Sequence, residues 1–230
     1  MRRPVAATGV AAFLVTAGAA HAAVHRYVLG HSVEGRPIVA FEVGDARSRR
    51  KVLVVGCVHG NEPAGTAVTS RLMALAPPPG VDLWVVPSLN PDGQRAGTRG
   101  NGRGVDLNRN FPGGWRPLTG VFDSGRHALS EPESRTAYRL LLRLRPAISI
   151  WFHQHMDVVD VSGGSRAIER RFARLAGLPT ASLVREPGSI VTWENAIFPR
   201  RSAFVVELPA GRLTPPTALR FARAIDAIAG

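Results

Sequence analysis

Apolar positions along the chain fall into short dense runs separated by longer stretches where they recur every third or fourth residue. The runs Pro37–Val43, Val52–Cys57, Asp82–Pro87, Ala147–Phe152 and Ala203–Leu208 are each bounded by turn residues. Several are apolar at nearly every position, as buried and largely parallel strands are. Between them, Pro63–Leu75, Ser130–Leu144, Ser165–Leu175 and Pro215–Ile228 carry helical spacing. The second of these opens with Ser130 and Glu133 at capping-box spacing, and the fourth with Thr214 followed by Pro215 in the first turn. Strands alternating with helices predict an α/β sandwich. The segment Pro87–Gly125 has no period and is dense in Gly, Asn, Asp, Arg and Pro. An aperiodic stretch of that length in a compact domain usually carries function.

The N-terminus follows a different pattern. Arg2 and Arg3 precede an uncharged, alanine-rich run from Val5 to Ala20 that ends in Ala20-His21-Ala22, the layout of an export signal. The expectation is a cleaved signal at 1–22, one catalytic domain over 23–230, and a mature protein in the periplasm, cell envelope or medium with no stable membrane insertion. Losing Arg2 and Arg3 lowers the formal net charge from +12 to +10, and Lys51 is the only lysine behind it. Such an excess attracts polyanions. Export makes an anionic envelope polymer the expected partner and not nucleic acid. Cys57 is alone, so no internal disulfide forms, and it reads as a small buried apolar residue.

Candidate chemistry gathers where apolar runs end. Val52–Cys57 leads into Val58-His59-Gly60-Asn61-Glu62-Pro63, and the carboxyl end of a strand is where ligands collect in α/β sheets. His59 and Glu62, three apart in a turn, can offer nitrogen and oxygen to one zinc ion. A third ligand is available from Trp151-Phe152-His153-Gln154-His155, where the residues alone leave His153 and His155 both open. A fourth position left to water makes such a site catalytic. Near the C-terminus, Phe204-Val205-Val206-Glu207-Leu208 sets a carboxylate among apolar neighbours, a costly placement without a partner. Next to a metal it can take a proton from water.

Taken together, His59-Gly60-Asn61-Glu62, Asn90-Pro91-Asp92-Gly93, Gly104-Val105-Asp106-Leu107-Asn108-Arg109-Asn110-Phe111-Pro112, the strand ending in His153, and Phe204–Leu208 resemble the zinc carboxypeptidase family, in the family's order. The resemblance implies a three-layer sandwich with a mixed, mostly parallel eight-stranded sheet flanked by helices. It implies one Zn²⁺ on His59, Glu62 and His153, with His153 preferred over His155 by position. It makes Glu207 the general base, Arg99 the oxyanion-stabilising arginine ahead of its neighbour Arg95, and Asn108 with Arg109 the grip on a substrate carboxylate. Gly188–Trp193 matches the wall of the side-chain pocket, with Ile190 where basic-residue-cleaving members carry an acid. The mobile clamping tyrosine of digestive members falls near Leu183, and Tyr27 and Tyr138, the only tyrosines, do not fit it.

The opening Gly30-His31-Ser32-Val33-Glu34-Gly35-Arg36-Pro37-Ile38 is like that of the compact bacterial members, some of which act on cell-wall stem peptides. The expected function is therefore a metallocarboxypeptidase or a murein peptide (γ-D-glutamyl-diaminopimelate) amidase. An inactive envelope-binding protein on the same fold is the alternative, and the presence of Glu207 and Arg99 speaks against it. No Gly-x-Ser-x-Gly elbow suggests a serine hydrolase. Gly100-Asn101-Gly102-Arg103-Gly104 neither follows a strand nor opens a helix, so it lacks phosphate-cradle geometry. Arg166, Arg170 and Arg174, four apart, read as a solvated helix face available to a polyanion.

Overall fold

A computed structural model describes residues 24–230, so the expected signal at 1–22 lies outside the described residues. Eight strands form one sheet: β1 (Val24–His31), β2 (Pro37–Gly44), β3 (Lys51–Val55), β4 (Asp82–Val86), β5 (Ile148–Gln154), β6 (Val158–Asp160), β7 (Thr180–Ala181) and β8 (Ser202–Leu208), in the order β1-β2-β4-β3-β5-β8-β6-β7. The central four, β4-β3-β5-β8, are parallel, and β2 and β6 border them antiparallel. The mixed, mostly parallel eight-stranded sheet is thus as expected, although β1, β6 and β7 are strands that apolar periodicity did not single out. β1 is largely exposed and β6 and β7 are very short, so neither kind carries a dense apolar run.

Helices cover both faces: α1 (Gly65–Met73), α2 (Pro91–Ala96), α3 (Pro132–Leu144), α4 (Arg166–Ala176), α5 (Ile190–Ile197) and α6 (Pro215–Ala229). Alternate residues of each strand point to opposite faces. Val52, Val54, Ile150, Phe152, Phe204 and Val206 pack with α1, α4 and α6, whereas Leu53, Val55, Trp151, Ala203 and Val205 pack with α3 and α5. Burying each large side chain on either face contributes about 1.5 to 3 kcal/mol.

Ser130 does not cap α3 as its spacing with Glu133 suggests. The helix begins at Pro132 after Glu131, and the Glu133 carboxylate instead accepts from the Val33 backbone N–H (3.0 Å) and Asn101 Nδ2 (2.9 Å). Long-range partners there outcompete the local cap. Thr214 does cap α6, accepting from the Thr217 N–H at 3.3 Å. Among the described residues no helix is long and apolar enough to cross a membrane.

α5 is held to β5 by a buried acid. Glu194 faces Ser149 Oγ and Trp151 Nε1 (3.1 Å), and burial pushes its carboxyl up to about 7 against those hydrogen bonds. The folded state therefore keeps a proton that the unfolded chain releases near 4.5. This contribution to stability is complete below pH 4.5 and is lost as pH rises through 7, by up to about 3 kcal/mol. Glu194→Gln offers one acceptor to Trp151 and one donor to Ser149. Urea unfolding should show the variant equal to the parent near pH 5, more stable at pH 8, and with a shallower decline between them.

Candidate active site

The site forms where the chain reverses across the sheet. From β3 it passes through α1 to β4 on one side, then returns to β5 on the other, leaving a crevice beyond the carboxyl ends of β3 and β5. His59 follows β3, Glu62 precedes α1, and His153 sits at the end of β5. Gly60 lets this turn approach the next loop: a Cβ there would lie 1.8 Å from the Gly93 carbonyl carbon.

Three donor atoms converge. His59 Nδ1 lies 2.9 Å and His153 Nδ1 3.0 Å from Glu62 Oε2, and the two nitrogens are 3.1 Å apart. All three residues are buried and together they can hold a metal ion. Tetrahedral zinc with ~2.0–2.1 Å bonds places its ligands roughly 3.4 Å apart, close to this triangle. His59 Nε2 is 2.9 Å from Asp106 Oδ1, and an ionised carboxylate can only accept. Nε2 therefore donates to Asp106, and Nδ1 is the nitrogen turned toward Glu62 Oε2 and His153 Nδ1, the position from which it would ligate a cation. His155 is exposed and stands outside the cluster although it borders the cleft, which resolves the choice the residues left open.

Electrostatics tighten this arrangement. Burial alone would raise Glu62, but hydrogen bonds from His153 and His59 hold it well below the usual carboxylate range. Asp106 opposes its own burial in the same way, through His59, Arg99 and Arg109, and lies at about 2. His59 is raised, because Asp106 and Glu62 outweigh its desolvation. Cys57, pushed up to about 12 by burial, donates its thiol to the His59 carbonyl and is no nucleophile.

Asp106 is the site residue the sequence reading passed over, although it stood in the quoted motif. Its oxygens also accept from the Asn108 N–H (2.8 Å) and Arg99 Nε (2.9 Å). Arg99 reaches on to Glu62 Oε1 (3.0 Å), and the side chain of Asn90 holds the carbonyls of Arg99 and Gly100. Arg95 is exposed on α2 and does not border the cleft. The half-exposed Phe122 ring lies 5.2 Å from the Arg99 guanidinium carbon and 5.3 Å from that of Arg109, bracing both by cation–π attraction.

The cleft measures about 850 Å³ and takes in His59, Glu62, Arg99, Asn108, Arg109, His153 and Glu207. Glu207 stands opposite His153 in the β5–β8 register, and its Oε2 has no hydrogen-bond partner among the described residues. Asn108 Oδ1 accepts from the Ile190 N–H at 3.0 Å, which orients its Nδ2 as a donor. Ile190 itself corrects an expectation. Its side chain is only 1% exposed in the core beneath the cleft, so it reaches the site through its backbone, and Ser189, Val191, Thr192 and Asn195 form that wall. The 3.6-residue turn of α5 rotates Ile190 inward. Leu183, near which the clamping-tyrosine position of digestive members falls, borders the cleft, while Tyr27 stacks on Trp84 and Tyr138 packs on Trp193.

A buried His-Glu-His cluster able to hold a metal ion, an acid beside it and two arginines in one cleft are the parts of a metal-dependent hydrolase. The zinc carboxypeptidase (peptidase M14) family model matches residues 10–75 and 79–168. Murein peptide amidase A of Escherichia coli strain K12 is 31% identical over 180 residues, spanning 71% of this chain and 74% of that protein. The Vibrio campbellii protein of the same name is 31% identical over 196 residues, 78% and 77% of the two chains. Among solved structures, the murein-tripeptide amidase MpaA of Escherichia coli O157 superposes with a TM-score of 0.73 at 25% identity, covering 89% of this chain and 91% of that one. Carboxypeptidase A of Helicoverpa armigera shares the fold, with a TM-score of 0.72 at 20% identity over 89% and 69% of the chains. The chain belongs to the zinc carboxypeptidase family and is a hydrolase.

Asp106→Asn should weaken zinc binding about 10- to 100-fold, because the amide loses the charge that orients His59. Competition against a chromophoric chelator measures this, and unchanged affinity in a folded variant would show that Asp106 does not set the ligand.

Proposed function

We propose that this protein is an exported zinc-dependent amidase that hydrolyses a murein stem peptide between the γ-carboxyl of D-glutamate and meso-diaminopimelate. The observation that carries the reading is the convergence of His59, Glu62 and His153 with Glu207 in register beside them. The substrate class is supported by similarity to proteins named murein peptide amidase over about three quarters of their length. Export is supported by the signal-like pattern of Arg2 and Arg3, the uncharged run Val5–Ala20 and Ala20-His21-Ala22. The exposed arginines Arg166, Arg170 and Arg174 of α4 would favour anionic envelope polymers.

Zinc held by His59, Glu62 and His153 would supply Lewis-acid polarisation of a carbonyl and a water of lowered pKa. Glu207 accepts a proton from the attacking water and returns it to the leaving amine. Arg99, fixed from behind by Asp106 and Glu62, donates to the carbonyl oxygen as negative charge develops there. Arg109 and the Nδ2 of Asn108 bind the free carboxylate of the leaving residue, for which a guanidinium fork is suited. In the free protein Arg109 Nη2 lies 3.9 Å from Glu186, a loose contact that a substrate carboxylate can displace.

Purified protein, with and without a chelator, should be given a murein tripeptide and a blocked dipeptide ending in an apolar residue, with products identified by mass. Chelator-sensitive cleavage of the tripeptide alone supports the amidase; cleavage of the dipeptide alone makes it a general carboxypeptidase, and cleavage of neither favours an envelope-binding role. Glu207→Gln should lower kcat by about 10²- to 10⁴-fold with zinc content unchanged.

A further inference from the structure

The cleft is also bordered by two opposite charges that do not pair with each other. Asp160 ends β6, and Oδ1 accepts from the backbone N–H groups of Ser162 (2.9 Å) and Leu183 (3.0 Å), while Oδ2 accepts from the Ser162 hydroxyl (2.8 Å). Every one of these donors is neutral, so the charge of Asp160 is solvated but not cancelled. Arg185 lies on the segment after β7, and its Nη2 donates to the carbonyl of the same Ser162 at 2.7 Å. That acceptor is neutral too, and among the described residues neither Asp160 nor Arg185 forms an ion pair. Both border the cleft with Ser162 and Asn195. Glu169, buried behind them, is pushed up to about 7 by desolvation, with Asp160's charge adding to the shift.

One serine thus holds an acid and a base side by side on a wall where the sequence pointed to Ile190. Asp160 is only 8% exposed. An uncharged side chain seated here would cover an uncompensated carboxylate, a costly arrangement. A side chain with one charge would answer one partner and leave or repel the other. A group ending in both an ammonium and a carboxylate answers both, the ammonium meeting Asp160 and the carboxylate the guanidinium of Arg185.

We infer that Asp160 and Arg185 form a specificity site for a zwitterionic side-chain terminus on the residue released as the amine. This deepens the reading above and rests on that cleft holding the substrate: a diamino dicarboxylic acid, such as diaminopimelate, carries that terminus. The site assigns selectivity to the two charges at the far end of the side chain, where the expected Ile190 wall offered only apolar contact.

Three amino acids separate the contributions. meso-Diaminopimelate has both end groups, L-lysine lacks the distal carboxylate, and L-2-aminopimelate lacks the distal ammonium. Their binding to the zinc-loaded protein is measured by calorimetry, and kcat/KM is measured on N-acyl dipeptides ending in each. The parent protein should favour diaminopimelate at least about tenfold over either analogue. Asp160→Asn, which keeps the loop's hydrogen-bonding capacity, should abolish the preference over aminopimelate and retain that over lysine. Arg185→Gln should do the reverse, and because Arg185 is exposed this arm decides the matter even if Asp160→Asn folds poorly. Equal or undetectable binding of all three, or unchanged ratios in the variants, overturns the assignment. Selective binding without cleavage of a γ-glutamyl bond would sink the amidase reading and leave this site standing; cleavage without discrimination would do the opposite.

Discussion

The carboxylate of Asp106, fully buried, joins the two parts from which the site is made. One oxygen receives His59 from the end of β3, and the other receives Arg99 from the aperiodic loop. Arg99 in turn reaches Glu62, so His59, Asp106, Arg99 and Glu62 form one closed hydrogen-bonded circuit. Removing the central charge would leave buried partners unpaired on both sides, an expensive loss in a low-dielectric setting. The same carboxylate accepts from the Asn108 N–H and so sets the turn that presents Asn108 and Arg109.

The sheet supplies what that circuit cannot. Parallel pairing of β5 with β8 sets His153 directly opposite Glu207, placing the two on neighbouring strands at the same height. A slip of one residue would turn every side chain of β8 to the other face. Val206 on one face and Val205 on the other, each packed in its own core, make that slip costly. Packing away from the cleft therefore fixes where Glu207 stands relative to His153.

Charge is divided along the cleft. Arg99 and Arg109 share the Phe122 ring and Arg99 is paired with Glu62 and Asp106, whereas Asp160 and Arg185 border the same cleft with neutral hydrogen-bond partners. Neutral donors and acceptors on Ser162 keep those last two in place without letting them neutralise one another.

The chain's pattern by itself determined the four central parallel strands, because each is buried on both faces and reads as an unbroken apolar run. It also singled out His59, Glu62 and Glu207 as candidates, because polar residues at the ends of such runs need a reason, while the Asn108-Arg109 pair rested on the resemblance of its motif to the family. Only the tertiary structure decided between His153 and His155, since convergence on one point depends on where separate strands end. It turned Ile190 into the core by the pitch of α5, and gave Glu133 partners in Val33 and Asn101 in place of a local cap. It also brought Asp160 and Arg185 to one serine. These outcomes rest on contacts between residues distant in the chain, and hydrophobic periodicity records which face of an element is buried but not what lies opposite it.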